Sequence, residues 1–361
     1  MCCFTEVDEI MNANSFAING RRIGPHSPCY LIAEVAQAHD GSLGLAHSYV
    51  DAVAAAGADA IKFQTHIAAA ESTPGEPFRV KFSFQDATRY DYWRRMEFTL
   101  EQWQGLADHC ADVGITFLSS PFSLEAVEML KMIGMPMWKV GSGEVSNPLM
   151  LSAMAETGRP ILLSTGMSSW DEITQAVEKI RGHEVPLGIF QCTSKYPTPL
   201  SEVGLNVIDE IYARFGVPTG LSDHSGKVFP GLAAMARGID LLEVHVVFDR
   251  GMFGPDSPAS LTLEELKLLS EARDAFHTMS SQDIDKDVMA SELAPLRKLF
   301  NKSVALREDQ PAGTVLQQDM LTVKKPGTGI PAKSLDECVG RKLAVSVPED
   351  RVLNWEDLEN T

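Results

Sequence analysis

Two lysines stand in otherwise apolar runs of the chain, where a charged side chain is costly unless it is paired or solvated. Lys62 lies in an Ala-Ile-Lys-Phe run and Lys139 in a Met-Trp-Lys-Val run. Each could pair with a carboxylate such as Glu34 or Glu243. Each could instead supply a point charge for a phosphate or carboxylate, and a Schiff-base amine is a third option. These residue types predict a site for an anion or a carbonyl compound.

Hydroxyl side chains recur near the ends of short apolar runs, where they could surround an anion with hydrogen-bond donors. The residues concerned are Ser120, Ser142, Ser164, Ser194 and Ser222. One polar run end is usually structural, but eight successive runs end in polar residues. This repetition favours a site.

Two histidines, His224 and His245, lie at the ends of successive runs. Two imidazoles, with water and substrate oxygens, suit a divalent cation that keeps open coordination positions. A lone histidine is more often structural. Four other histidines have weaker cases, and most of them are interpreted as structural or surface residues: His39, His66, His109 and His183.

A local unit positions these residues: a helix-like stretch, a glycine that ends it, and a short apolar run typical of a buried parallel strand. Seven strands are predicted from this unit, at 60–64, 116–119, 137–140, 160–164, 187–190, 220–222 and 241–245, and the apolar run at 30–34 as the first strand makes eight. Eight strand–helix units predict an α/β fold, a (β/α)8 TIM barrel with its active site at the carboxyl ends of the strands. A doubly wound sheet is less favoured, because no Gly-rich dinucleotide loop follows the first strand.

Three further features organise the chain. One helix face is predicted from the spacing of Ala46, Tyr49, Val50, Val53 and Ala54. A capping box at Thr262 and Glu265 predicts a second helix, which ends at about Met279. The long connection 68–99 could cover the site. We predict a catalytic barrel at 1–280, a linker at 281–297 and a small β-rich domain at 298–361.

The charge balance limits the classes of partner. The 361 residues carry a formal net charge of −18, and residues 1–290 hold 21 basic and 38 acidic side chains. That argues against nucleic acid and polybasic membrane binding. The N-terminus lacks a basic region and an apolar signal core, so we expect a cytoplasmic protein. The six cysteines are expected to be reduced thiols, and the role of Cys2 and Cys3 stays open.

From about Tyr30 to Trp355 the chain resembles the sialic acid synthase family, whose barrel is followed by an antifreeze-like (SAF) domain. The resemblance rests on several short motifs together. They are Ala33-Glu34, Ala38-His39-Asp40-Gly41-Ser42, Lys62-Phe63-Gln64-Thr65-His66, Ser120-Pro121-Phe122, Lys139-Val140-Gly141-Ser142-Gly143-Glu144, Ser164-Thr165-Gly166-Met167, Gln191-Cys192-Thr193-Ser194-Lys195-Tyr196-Pro197, Leu221-Ser222-Asp223-His224, Glu243-Val244-His245 and Gly254-Pro255-Asp256.

The resemblance implies condensation of phosphoenolpyruvate with an N-acylated hexose and water, giving a nine-carbon 2-keto acid and phosphate. It implies phosphoenolpyruvate binding by Lys62, Ser120, Lys139, Ser142, Ser164, Ser194 and Ser222. It implies a sugar site at Glu34, Gln64, Tyr196, Glu243 and Asp256, with Glu34, Lys139 and Glu243 as catalytic residues. It also implies a divalent metal on His224 and His245, manganese before magnesium or cobalt, and a domain-swapped homodimer.

Four departures from the family pattern concern the sugar more than the chemistry: Ala38, Val244, Ser194, and Lys325 where the capping domain often presents an arginine to the sugar's acyl group. N-acetylmannosamine is the plain expectation, and a diacetamido-trideoxyhexose, as in legionaminic or pseudaminic acid synthesis, is the alternative.

Three other functions compete. Another phosphoenolpyruvate-using barrel, making a 3-deoxy sugar acid, needs further basic residues for a second phosphate, and only Lys195 stands out. A metallohydrolase barrel would leave Lys62 and Lys139 unexplained. A non-enzymatic binder would not need polar ends on all eight strands.

Overall fold

A computed structural model describes residues 14–359, which fall into two compact units that divide between Ser281 and Gln282. The strands are β1 (Phe16–Ile18), β2 (Arg21–Ile23), β3 (Tyr30–Ala36), β4 (Ala60–Thr65), β5 (Thr116–Pro121), β6 (Trp138–Val140), β7 (Ile161–Ser164), β8 (Leu187–Cys192), β9 (Thr219–Asp223), β10 (Leu241–Val247), β11 (Leu261–Thr262), β12 (Ser303–Leu306) and β13 (Leu321–Lys324). The helices are α1 (Leu43–Ala55), α2 (Ala68–Glu71), α3 (Arg89–Met96), α4 (Leu100–Asp112), α5 (Leu124–Ile133), α6 (Pro148–Ala155), α7 (Trp170–Arg181), α8 (Leu205–Phe215), α9 (Val228–Ala236), α10 (Leu263–Ser280), α11 (Lys286–Glu292), α12 (Ala294–Phe300) and α13 (Leu335–Cys338).

Eight parallel strands, β3 to β10, form the central sheet of the first unit. Their hydrogen-bonded order is β5-β4-β3-β10-β9-β8-β7-β6, and the two end strands β5 and β6 lie side by side. The sheet therefore curves into a barrel. Each of the eight predicted apolar runs coincides with one strand, so the predicted (β/α)8 fold is confirmed. The parallel direction brings all eight carboxyl ends to one face.

Strand register sets the level of the polar residues at that face. Glu34 on β3 pairs in register with His245 on β10 and with Lys62 on β4. Glu243 on β10 pairs with Ser222 on β9. Neighbouring strands thus present charged and polar side chains at the same height. Leu31, Ile61 and Leu242 lie lower on the strands and are fully buried in the apolar core.

Local sequence fixes the ends of the helices around the barrel. The Ser42 side chain caps α1 and Thr262 with Glu265 forms the predicted capping box of α10, which ends at Ser280. Four of the five residues predicted to face the core from α1 are buried, and Ala54 is half-buried. The connection 68–99 contains α2 and α3.

The second unit is small and built around an antiparallel pair, β12 with β13. Its core includes Val304, Leu306, Ile330, Leu343 and Leu353, all fully buried. The predicted linker at 281–297 is largely helical, since it contains α11 and the start of α12. The Asp285 side chain accepts hydrogen bonds from two backbone N–H groups at the start of α11, and this cap supports a helix in an acidic, polar stretch.

The cysteines that the structure describes, Cys29, Cys110, Cys192 and Cys338, are buried free thiols. Cys2 and Cys3 lie outside the described residues. No helix within residues 14–359 has the length and apolar character to cross a membrane.

Candidate active site

A cavity of about 410 Å³ opens at the carboxyl ends of the barrel strands. Fourteen of the sequence-predicted site residues line it: Glu34, Lys62, Gln64, Ser120, Lys139, Ser142, Ser164, Ser194, Tyr196, Ser222, His224, Glu243, His245 and Asp256. Lys325 belongs to the second unit, where its Nζ lies 5.1 Å from the centre of the Phe300 ring. The barrel alone therefore brings together every predicted residue except Lys325.

Two lysines and two glutamates form a buried charge network in the cavity. Lys62 pairs with Glu34, and its Nζ lies 3.7 Å from Oε2 of Glu243. Lys139 Nζ lies 3.2 Å from Oε1 of Glu243. All four side chains are at most 4% exposed. The carboxylate pairing expected from the sequence is therefore present, on side chains that also line the cavity.

Hydroxyl groups complete the surroundings of this network. Lys139 Nζ donates to Oγ of Ser164 at 2.6 Å, and Lys62 Nζ donates to Oγ of Ser120 at 3.3 Å. The Ser222 hydroxyl donates to Glu243 Oε1 at 3.0 Å. Each serine thus holds a charged group in place and leaves its remaining hydrogen-bonding capacity for the cavity.

Gly166 keeps one part of this wall open. Its backbone N–H donates to Ser142 Oγ at 3.0 Å. A Cβ at this position would lie 2.8 Å from Cys192 Sγ and 2.9 Å from Ser142 Oγ, and it would also crowd Ser194. A glycine is required here because any side chain would fill the space among these three polar groups.

Burial and charge push the two glutamate pKa values apart. Burial raises the pKa of Glu34 to about 7, against the opposing effect of Lys62. Burial also acts on Glu243, but the charges of Lys139 and Lys62 outweigh it and lower the pKa of that carboxyl. Burial lowers the pKa of Lys139, and the charge of Lys62 adds to this effect. Divergent carboxyl pKa values in one cleft are typical of acid–base sites.

His224 and His245 face each other at one side of the cavity, with ring centres 5.1 Å apart. His224 Nδ1 lies 3.0 Å from the carbonyl oxygen of Thr193, which can only accept, so Nδ1 carries a proton. Nε2 lies 3.1 Å from the Tyr196 hydroxyl. No hydrogen bond to the His245 ring is found in the described part of the chain.

This donor set suits a metal with few protein ligands. Within residues 14–359, no group of three or more His, Cys, Asp and Glu side chains is arranged to hold a metal ion. Two imidazoles on the cavity wall, one with no hydrogen-bond partner in that range, fit a divalent cation completed by water and substrate oxygens. The residues present therefore fit the metal that the family resemblance implies.

The connection 68–99 adds cavity residues, none of which is among the site residues predicted individually from the sequence. The side chains from this connection that line the cavity are Glu71, Glu76, Phe78, Arg79, Val80, Phe82, Arg89, Tyr92 and Trp93. His66, Cys192 and Glu144 also line it, and these three lie in the motifs on which the family resemblance rests. The signals available for the connection were its unusual length and the run of basic and aromatic residues at 89–95.

Arg79 is the most informative of these residues. Its Nη2 lies 2.9 Å from Oδ1 of Asp256, and its guanidinium carbon lies 4.3 Å from the centre of the Tyr196 ring. It therefore joins the connection 68–99 to two residues predicted to face the sugar. A guanidinium has five N–H donors, so others stay available to a ligand.

Lys195 and His39 lie outside the cavity lining. Lys195 pairs with Glu202, and both side chains are exposed rather than part of the cavity wall. His39 is fully buried, accepts a hydrogen bond from the Gly41 N–H at 3.1 Å and packs on Phe98. The structural interpretation of His39 is therefore confirmed.

A (β/α)8 barrel with paired lysines, serines and carboxylates at the carboxyl ends of its strands has the architecture of a barrel enzyme for a small anionic substrate. Residues 49–284 match the model of the NeuB family, and residues 301–359 match that of the SAF domain. The chain belongs to the NeuB family, whose members are phosphoenolpyruvate-dependent condensing enzymes.

Named relatives agree with this assignment. The chain is 34% identical to human N-acetylneuraminate-9-phosphate synthase, over 94% of this chain and 96% of the relative. It is 32% identical to the N,N'-diacetyllegionaminic acid synthase of Campylobacter jejuni, over 90% of this chain and 98% of the relative. The crystal structure of N-acetylneuraminic acid (sialic acid) synthetase from Leptospira borgpetersenii, in complex with citrate, superposes with a TM-score of 0.69 at 27% identity, covering 79% of this chain and 96% of that one.

Proposed function

We propose that this enzyme condenses phosphoenolpyruvate with an open-chain N-acylated hexose, in the presence of water, to give a nine-carbon 2-keto acid and phosphate. The observation that carries the proposal is the buried network of Lys62, Lys139, Glu34 and Glu243 beside two cavity-facing imidazoles. Two cations suit an anionic donor substrate, and the imidazoles suit a metal that binds a carbonyl compound.

Phosphoenolpyruvate occupies the lysine side of the cavity in this proposal. Lys62 and Lys139 supply positive charge. The hydroxyls of Ser120, Ser142, Ser164, Ser194 and Ser222 are the available donors, and Gly166 leaves room among them. An anion that accepts from these groups replaces part of the contact between the lysines and the carboxylates.

The sugar occupies the opposite side, near Tyr196, Asp256 and the connection 68–99. His224 and His245 would hold the divalent metal, which when bound polarises the sugar aldehyde. Gln64 donates to Glu34 Oε1 at 2.9 Å, so these two side chains form one polar surface between the two substrates.

The reaction then uses charges that the chain already positions. The enol carbon of phosphoenolpyruvate bonds to the aldehyde carbon, whose oxygen gains a proton and becomes a hydroxyl. Positive charge develops on the carbon that bears phosphate, and the Glu34 carboxylate stabilises it or accepts a proton from the water that adds there. The C–O bond to phosphate breaks, the keto group forms, and Lys62 and Lys139 stabilise the departing phosphate.

The identity of the sugar is the finer part of the proposal. N-acetylmannosamine is the first candidate and a diacetamido-trideoxyhexose the second, since named relatives of similar identity make different nonulosonic acids. Product analysis with a panel of N-acylated mannose and altrose analogues tests this. One sugar turned over far better than the others identifies the substrate, and no product from any of them contradicts the proposed function.

We further propose that the enzyme is a cytoplasmic homodimer. Apolar side chains on α12, including Leu296, Leu299 and Phe300, are 46%, 63% and 64% exposed. Exposed apolar residues on one short helix are typical of a surface that another chain covers. Phosphoenolpyruvate is a metabolite of the cytoplasm, which supports that location.

A further inference from the structure

His66 lies at the end of β4 with both ring faces and both ring nitrogens in contact with other groups. Trp93 stacks on one face, with ring centres 4.0 Å apart, and Phe122 stacks on the other at 4.6 Å. His66 Nδ1 lies 2.6 Å from Oε1 of Glu71, and Nε2 lies 3.3 Å from Oε1 of Gln64. The side chain is 3% exposed and lines the cavity.

The partners of His66 decide which hydrogen bonds the ring can make. Gln64 directs its Nε2 at the Glu34 carboxylate, 2.9 Å away, so its Oε1 must face His66. That oxygen also accepts from Gln37 Nε2 at 3.3 Å. Both nitrogens of His66 therefore face acceptors, and hydrogen bonds to both of them need a proton on each nitrogen. An imidazolium at this position would be paired with Glu71 and stacked between two aromatic rings, an arrangement that stabilises a cation.

We propose that His66 is a positioning residue that acts through Gln64 on Glu34. Held by Glu71, the imidazolium donates to the Gln64 carbonyl and fixes the amide so that its N–H group points at the Glu34 carboxylate. The chain of contacts Glu71, His66, Gln64, Glu34 links α2 in the connection 68–99 to the charge network of the barrel. The kinetic consequence of this inference rests on the proposed function, whereas the protonation of the His66 ring does not depend on it.

The other groups around His66 give the electrostatic setting. Arg89 lies with its guanidinium carbon 5.0 Å from the centre of the Trp93 ring, and the charge of Glu71 raises the pKa of Glu144 in addition to the effect of burial. Burial and then the charge of His66 lower the pKa of His39, which is buried and neutral. Glu71 is the carboxylate in direct contact with His66, and it balances a positive charge on that ring.

The effect on Glu34 has a definite direction. A hydrogen bond donated to a carboxylate favours its charged form, so losing the Gln64 donor raises the pKa of that carboxyl. If the reaction needs the Glu34 carboxylate, the acidic limb of the rate profile moves to higher pH when His66 no longer holds Gln64. A residue that only supports packing would not move this limb.

The test uses the full-length enzyme with His66→Phe, which keeps an aromatic ring between Trp93 and Phe122 and removes both N–H donors. Glu71→Gln keeps a hydrogen-bonding group and removes the counter-charge. His109→Phe, on α4 and outside the cavity lining, is the matched control. We expect His66→Phe to lower kcat/KM about tenfold and to shift the acidic limb upward, Glu71→Gln to shift it less, and the control to do neither.

A second measurement does not depend on activity. Nitrogen-15 NMR of the histidine rings, with His66 assigned by its absence in His66→Phe, should show both His66 nitrogens protonated at pH 7.5. A singly protonated ring overturns the proposal, and so does a His66→Phe enzyme with an unmoved acidic limb. An enzyme without sugar-dependent turnover would refute the proposed function, and the NMR result would still decide the state of His66.

Discussion

Lys62 and Lys139 share the carboxylate of Glu243, and this sharing explains how charged residues survive in the interior of a barrel. A buried charge is stable only when it is paired and hydrogen-bonded. Both lysines could be predicted as functional residues because charge in an apolar strand is a strong signal. Arg79, His66 and Glu71 could not, because their roles depend on how an irregular connection folds over the strand ends.

Lys139→Ala should lower kcat by about 100-fold or more, because it removes a buried cation from the proposed phosphate site. The protein should stay folded, since Glu243 keeps contacts with Lys62 and Ser222. Phosphate release and a thermal melt measure the two effects. Lys131→Ala, at an exposed position of α5, is the matched control. A near-normal rate in Lys139→Ala would show that this lysine is structural.

The acidic limb of kcat/KM should have its midpoint near pH 7, because burial raises the pKa of Glu34 to about 7 and the reaction uses its carboxylate. Activity therefore rises as the pH increases through 7 and is lost below it. Initial rates between pH 5 and pH 9, at fixed ionic strength, measure this limb. A midpoint near the ordinary value of a glutamate, about 4.3, would remove Glu34 from this role.

His245→Ala should bind less divalent metal than the parent enzyme, because it removes one of two imidazoles that face the cavity. Metal content after loading with Mn²⁺ and gel filtration measures the loss directly. His26→Ala, an exposed histidine outside that cavity, should leave the content unchanged. Equal metal content in His245→Ala and the parent would exclude this residue as a ligand.

At the scale of elements, the strands could be predicted well and the connections poorly. Each strand has an apolar run, with a glycine shortly before seven of the eight, and parallel pairing then fixes which face carries the site. The connection 68–99 has no comparable period, yet it supplies much of the cavity wall. The segment 281–297 looked like a linker because it is polar, while the cap at Asp285 starts a helix there.

Arg79→Ala should raise the KM for the sugar about tenfold, because a charged hydrogen bond to Asp256 and the contact with Tyr196 are lost together. The KM for phosphoenolpyruvate should change little, since Arg79 does not contact Lys62 or Lys139. Steady-state kinetics with each substrate varied in turn measures the split. Lys81→Ala, an exposed residue of the same connection outside the cavity lining, is the control. Equal changes in both KM values would contradict a sugar-specific role.

At the scale of the whole chain, the net charge of −18 is unevenly placed, with −17 on residues 1–290. The unit that carries most of the acid excess also holds the two buried lysines. Net charge governs solubility and partners, whereas a site depends on its local field. An acidic enzyme can therefore bind an anionic substrate in a cavity with two lysines on its wall.

The proposed dimer should have about twice the 39.4 kDa mass of the chain in light scattering. Replacing both Leu299 and Phe300 by Asp should reduce the mass toward that of one chain, because it places charge on the exposed apolar face of α12. Ser291→Asp, at an exposed position of α11, should stay dimeric. A monomeric parent enzyme would contradict the dimer.

The most direct test of the central claim is phosphate release from phosphoenolpyruvate in oxygen-18 water, with and without the N-acylated hexose. Cleavage of the C–O bond predicts sugar-dependent phosphate without heavy oxygen, in equal amount to a nine-carbon 2-keto acid seen by mass spectrometry. Phosphate that carries heavy oxygen, or no sugar-dependent release with any member of the panel, would contradict the account.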